Sequence, residues 1–201
     1  MIEVEKRYKV LKLDEMLALL DGAGMQQVQQ NHVVDEWYAP LDVQSHERQE
    51  EWFDKEHGIA YRIRRVEQKD ESFTLEIETK QLTEANNHDT FKEERLSFAT
   101  YDEARRYIED LGYWNWLTID KTRYKFDSHD TEVDVVLDYV AGLAEKIGVG
   151  AALEIEYQGD AERGEALKKL AGFATRLGLS DEQLFAKSFT VEAMQALAKF
   201  N

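Results

Sequence analysis

Two pairs of glutamates, each spaced by one residue, open and nearly close the chain: Glu3 and Glu5 in IEVEKRY, and Glu154 and Glu156 in LEIEY. Side chains two apart on a strand share a face, so each pair sets two carboxylates side by side. Convergent carboxylates suit a hard cation such as Mg2+ or Mn2+, which takes oxygen ligands and keeps room for waters and substrate phosphates. Cations recur at the same spacing, as Arg62/Arg64 in YRIR and Lys121/Arg123 in KTRYKF. Guanidinium forks and ammonium groups match phosphate oxygens. Together they offer what phosphoryl transfer asks of a protein, which is mostly positioning and charge neutralisation.

The elements that must carry these groups are strands with one ionic and one apolar face. Six stretches alternate in this way: 2–8, 61–64, 73–80, 119–126, 133–138 and 153–157. If Val4, Ile63, Leu75, Ile77, Tyr124, Phe126, Val133, Val135, Leu137 and Ile155 pack against helices, the charged parity turns the other way. That parity carries Glu3, Glu5, Arg7, Arg62, Arg64, Glu76, Glu78, Lys80, Lys121, Arg123, Lys125, Asp134, Asp138, Glu154 and Glu156, joined by Glu93 and Arg95 from a strand over 91–98. Burying so many charges dry is prohibitive, so the interior they line must be wet and hold counterions. The spacing predicts further strands at 33–38, 59–66, 73–81, 117–126, 131–138 and 151–157, with 67–71 as a hairpin turn. Helices are expected at 13–20, 101–111 (capped by Thr100 and Glu103), 161–177, 181–185 and 190–200. The 41–58 stretch reads as a long loop with at most a helical turn. The expected fold is α+β: an eight-stranded antiparallel β-barrel, acting as a tunnel, with helices packed outside.

Composition sets the outer limits. The 201 residues suffice for one domain spanning 1–201, with 43% hydrophobic and 11% aromatic content typical of a folded globular chain. No cysteine is present, so any metal must be held by oxygen or imidazole. The net charge of −16 argues against nucleic acid and anionic membranes as partners. No apolar run approaches the ~20 residues that span a bilayer, and a cytoplasmic protein is expected. A polyphosphate would be repelled by the global field, so a local basic cluster and metal ions must reverse its sign.

Seven segments, in order and over nearly the whole chain, resemble the CYTH superfamily, also called triphosphate tunnel metalloenzymes. Glu3-x-Glu5-x-Arg7 resembles its ExExK signature, Asp35-x-Trp37-Tyr38 its D-x-Y-Y, and Tyr61-Arg62-Ile63-Arg64 its L-R-I-R. Gly112-Tyr113 followed by Lys121-x-Arg123 resembles G-Y…K-x-R, Leu137-Asp138-x-Val140 resembles L-D-x-V, and Leu153-Glu154-Ile155-Glu156 resembles E-I-E. Ala186-Lys187-Ser188-Phe189 is similar to a C-terminal K-S-Y. Lys80 falls where the family ends its third basic strand. Three departures stand out: arginine replaces the first-strand lysine, R-x-E-x-E is blurred to FKEER, and the 40–58 connection is long.

The resemblance implies that Glu3, Glu5, Glu154 and Glu156 are the catalytic carboxylates and, with Asp138, hold one or two Mg2+ or Mn2+ ions. It implies that Arg7, Arg62, Arg64, Lys80, Lys121, Arg123 and Lys187 grip a triphosphate. The implied activity is metal-dependent hydrolysis of tripolyphosphate, thiamine triphosphate or a nucleoside triphosphate. The alternatives are a class IV adenylate cyclase and a non-catalytic polyphosphate or nucleotide sensor. The expected partner is a small-molecule triphosphate, and a homodimer is allowed. Glu76 and Glu78 could serve only to neutralise neighbouring arginines. The five histidines (His32, His46, His57, His88, His129) lack metal-ligand spacing and read as loop residues. Trp37, Trp52, Trp114 and Trp116 read as packing residues.

Overall fold

The computed structural model describes residues 2–67, 73–127, 132–185, 187 and 189–200, the side chains of Ile2 and Glu3 excepted. Eight strands run β1 (Ile2–Val10), β2 (Gln26–Pro40), β3 (Ala60–Glu67), β4 (Phe73–Leu82), β5 (Thr90–Leu96), β6 (Tyr113–Asp127), β7 (Val133–Tyr139) and β8 (Ala151–Tyr157). They close into an antiparallel barrel in the order β1-β5-β4-β3-β2-β6-β7-β8. The helices are α1 (Leu13–Gly22), α2 (His46–Glu50), α3 (Tyr101–Asp110), α4 (Ala144–Ile147), α5 (Arg163–Arg176) and α6 (Phe189–Leu197). The chain divides into two compact units, one of Met1–Ile2, His32–Asp120 and Ala193–Asn201, the other of Glu3–Asn31 and Lys121–Glu192.

In the first unit, α3 starts at Thr100, whose hydroxyl accepts from the Glu103 N–H while the Glu103 carboxylate accepts from the Thr100 N–H. Both donors would otherwise be orphaned at the helix start. The helix buries Ala104 and Ile108 against Ile63 of β3, Ile77 of β4 and Tyr38 of β2. In the second unit, α5 presents Ala166, Leu170, Phe173 and Ala174 at helical spacing to Val133, Val135, Leu153 and Ile155. Its chain then reverses at Gly178, whose φ of +73° favours a residue without a Cβ. In both units the apolar parity faces helices, so the charged parity is left to the barrel interior.

Several elements differ from the sequence expectation. β2 begins seven residues earlier than 33–38, and β6 begins at Tyr113 instead of 117. The 41–58 stretch contains α2, capped by the Ser45 hydroxyl, followed by a wider π-type turn over Glu51–Lys55. α4 was not expected, and a 3-10 turn at Asp181–Gln183 stands in place of the helix at 181–185. The turn expected at 67–71 and His129 lie outside the described residues, apart from Glu67.

Candidate functional site

The first unit builds its charged face by cross-strand pairing. Asp35 of β2 faces Arg64 of β3, and Trp37 faces Arg62. Arg62 and Arg64 in turn face Glu78 and Glu76 of β4, and Lys80 faces Glu93 of β5. Arg64 makes a two-pronged contact with Asp35, Nε to Oδ1 at 2.7 Å and a terminal nitrogen to Oδ2 at 2.9 Å. Arg62 pairs with Glu78, and Lys80 with Glu93 at 2.9 Å. Arg62, Arg64, Lys80, Asp35 and Glu78 are all buried. Such charges persist only because each has a partner. Burial works against the charge on Glu78, but the Arg62 and Arg64 guanidiniums outweigh it and hold its carboxyl at about 2. Arg62 likewise loses solvation, yet Glu78, Asp35 and Glu93 raise its pKa further. Glu78 is therefore a fixed counterion at neutral pH and has no proton to give.

The second unit carries the carboxylates. Glu5 of β1 stands opposite Glu156 of β8, and Glu156 stands opposite Asp134 of β7. Like charges directly across a ladder repel, so cations beside this row offset the repulsion, as Arg7 does at Glu5. Arg7, opposite Glu154, donates from Nε to Glu154 at 3.0 Å and also pairs with Glu5. Asp138 is buried between Lys121, at 2.7 Å, and Arg123, which grips both oxygens at 2.7 and 2.6 Å. Burial opposes its charge, but Arg123 and Lys121 hold it well below the usual carboxylate range. Lys187 lies partly buried just before α6.

Among the described residues no three His, Asp or Glu side chains are gathered into a ready-made metal cage. The donor set nonetheless fits Mg2+ or Mn2+, because every candidate ligand is a carboxylate oxygen. Mg2+ is typically bound through one or two carboxylates with waters and phosphates completing the shell.

Ten of the residues singled out in the sequence fall on these two faces: Glu5, Arg7, Asp138, Lys121, Arg123, Glu154 and Glu156 in one unit, and Arg62, Arg64 and Lys80 in the other. The side chain of Glu3 is not among those described. Sequence reasoning set Glu93 on the inward face without giving it a role, and left Asp35 and Trp37 off that face. Asp35 and Glu93 hold Arg64 and Lys80, and Trp37 shares the face of Arg62, whose guanidinium carbon is 5.0 Å from its ring centroid. The signal for Asp35 and Trp37 was their shared parity on one strand. Arg95, expected inside, stands opposite Glu78 with its Nε 3.6 Å from that carboxylate, and its side chain is 71% exposed. Nor are all histidines in loops: His32 is on β2 between Glu67 and Asp120, each at 2.8 Å, and His46 opens α2. His88 is buried against Asp54 at 3.0 Å.

The family described as CYTH domain matches residues 1–189. Among curated proteins none matches. Solved structures share the architecture. The PH1012 protein of Pyrococcus horikoshii OT3 is 19% identical with a TM-score of 0.71, covering 94% of this chain and 98% of its own. A candidate adenylate cyclase of Vibrio parahaemolyticus is 20% identical with a TM-score of 0.68, covering 96% and 97%. A candidate adenylyl cyclase of Hippeastrum, HpAC1, for which a dominant triphosphatase activity is described, is 13% identical with a TM-score of 0.50, covering 88% of each chain.

Proposed function

Because the chain belongs to the CYTH-domain family, we propose that residues 1–201 work as one domain that hydrolyses a triphosphate with Mg2+ or Mn2+. The substrate is tripolyphosphate, thiamine triphosphate or a nucleoside triphosphate. The observation that carries this reading is the set of counterion-held cations, buried or partly buried: Arg62 on Glu78, Arg64 on Asp35, Lys80 on Glu93, Arg7 on Glu5 and Glu154, and Lys121 with Arg123 on Asp138. A merely structural interior would be better filled with apolar groups, since buried ion pairs seldom add net stability.

Binding is then an exchange of counterions. Phosphate oxygens take over the donors of Arg7, Arg62, Arg64, Lys80, Lys121, Arg123 and Lys187, with bidentate arginines fixing the orientation of the chain. The carboxylates set free then need a new positive partner. In this reading Glu3, Glu5, Asp138, Glu154 and Glu156 hold the divalent ions, and Glu3, Glu5, Glu154 and Glu156 are the catalytic carboxylates. When bound, the metal neutralises phosphate charge and acidifies a water for attack. The arginines and lysines neutralise charge that develops on the leaving and transferred groups, and they do so without reorganising, because the barrel already fixes them.

Glu5→Gln and Glu156→Gln test the assignment. Each is expected to abolish metal-dependent turnover while the circular dichroism spectrum and thermal midpoint stay near wild type. Full activity in both variants would overturn the metal assignment.

A further inference from the structure

Trp37 lies on the charged face of β2, directly across from Arg62. It is 5% exposed, with the Arg62 guanidinium 5.0 Å from its ring centroid. Its indole Nε1–H finds no acceptor among the described residues, and neither does the Nε–H of Arg62. Trp114 donates to the Val43 carbonyl at 3.1 Å, whereas the buried indole of Trp116, stacked on Phe200, likewise finds no acceptor among the described residues. Buried polar groups are nearly always satisfied. An indole nitrogen donates and never accepts, so the missing group at Trp37 is an acceptor. Its neighbour is a cation with an unused donor of its own, and two adjoining donors of this kind call for an anionic oxygen.

We propose that the Trp37 Nε1–H and the Arg62 Nε–H are a donor pair for one non-bridging phosphate oxygen of the bound ligand, which makes Trp37 a ligand-contact residue. This inference rests on the reading of the charged face as a triphosphate site and adds to it a neutral donor. Arginine supplies charge and orientation, whereas indole supplies direction without charge. Its contribution is constant across the pH range in which carboxylates and phosphates titrate. Because the contact is to the phosphate chain, it serves tripolyphosphate and organic triphosphates equally. A tryptophan present only for packing would be replaceable by phenylalanine at little cost in binding.

The test follows the assigned indole 1H–15N resonance of Trp37 in the wild-type protein during titration with inorganic tripolyphosphate, with Mg2+ and without it. Calorimetric titration of wild type and Trp37→Phe runs alongside. The expected result is a downfield move of the Trp37 indole proton with the Trp114 resonance unmoved, and a Kd about tenfold higher in Trp37→Phe, the scale of one hydrogen bond to a charged group. If tripolyphosphate binds wild type while the Trp37 resonance stays still and Trp37→Phe binds equally well, the inference is wrong and the triphosphate reading survives. If wild type binds no tripolyphosphate under either condition, the triphosphate reading fails and takes the inference with it. Should Trp37→Phe not fold, the wild-type resonance alone decides.

Discussion

Glu78 offers a quantitative test of how the charged interior is held together. Its side chain is 4% exposed and paired with Arg62, and Arg64 and Lys80 add to the positive field around it. Burial raises its pKa, but the cations outweigh this and lower it from 4.5 to about 2. At about 1.4 kcal/mol per pH unit, that interval corresponds to roughly 3 kcal/mol of stability. The folded-state value lies below the unfolded one. The contribution is therefore complete above pH 4.5 and is lost as pH falls toward 2. Glu78→Gln removes the carboxylate and leaves Arg62 charged and buried. Urea unfolding at neutral pH should show the variant less stable by about 3 kcal/mol, with a thermal midpoint lower by roughly 6–12 °C for a chain of this size. The gap between the two proteins should shrink to under half by about pH 3. Equal stability at neutral pH, or a gap as wide at pH 3 as at pH 7, would refute the idea that Glu78 is the fixed counterion of Arg62.

Other perturbations address binding and packing. Arg62→Ala should raise KM for triphosphates by roughly 10- to 100-fold, with a smaller change in kcat, because a charge-assisted contact contributes about 1.5–3 kcal/mol; unchanged steady-state constants would place Arg62 outside the site. Leu137→Ala, at a fully buried position in the core beneath α5, should cost about 2–5 kcal/mol in chemical denaturation. Thr100→Ala should cost about 1 kcal/mol by removing one half of the α3 capping box, and a thermal midpoint equal to wild type would contradict that role.

The barrel was legible because alternation with period two is visible wherever a strand has one apolar face. β3, β4, β7 and β8 show it over most of their length, broken at places such as Arg65 and Val136, and in these the parity that sends Ile63, Ile77, Val135 and Ile155 to helices sends the charges inward. The first half of β2, QQVQQN, has no apolar face and is largely exposed, so nothing in the residue pattern marks it as a strand. α2 and the turn after it were obscured by the polar run HERQE, which only becomes helical once Ser45 caps it and Trp52 and Phe53 are buried. Parity held at Arg95 as well, which stands opposite Glu78 with its Nε 3.6 Å from that carboxylate, although near the end of β5 its side chain is mostly exposed. It was underused at Trp37, where a bulky aromatic suggested packing, although its spacing from Asp35 already put it with Arg64 and Arg62.

The most direct measurement is identification of the products after incubation of the purified protein with ATP, thiamine triphosphate and inorganic tripolyphosphate, each with Mg2+ or Mn2+. The account predicts release of orthophosphate from at least one of them, dependent on the metal and lost in Glu156→Gln. Pyrophosphate with cyclic AMP from ATP would make the chain a cyclase and contradict hydrolysis. Binding of triphosphate without turnover under every condition would make it a sensor.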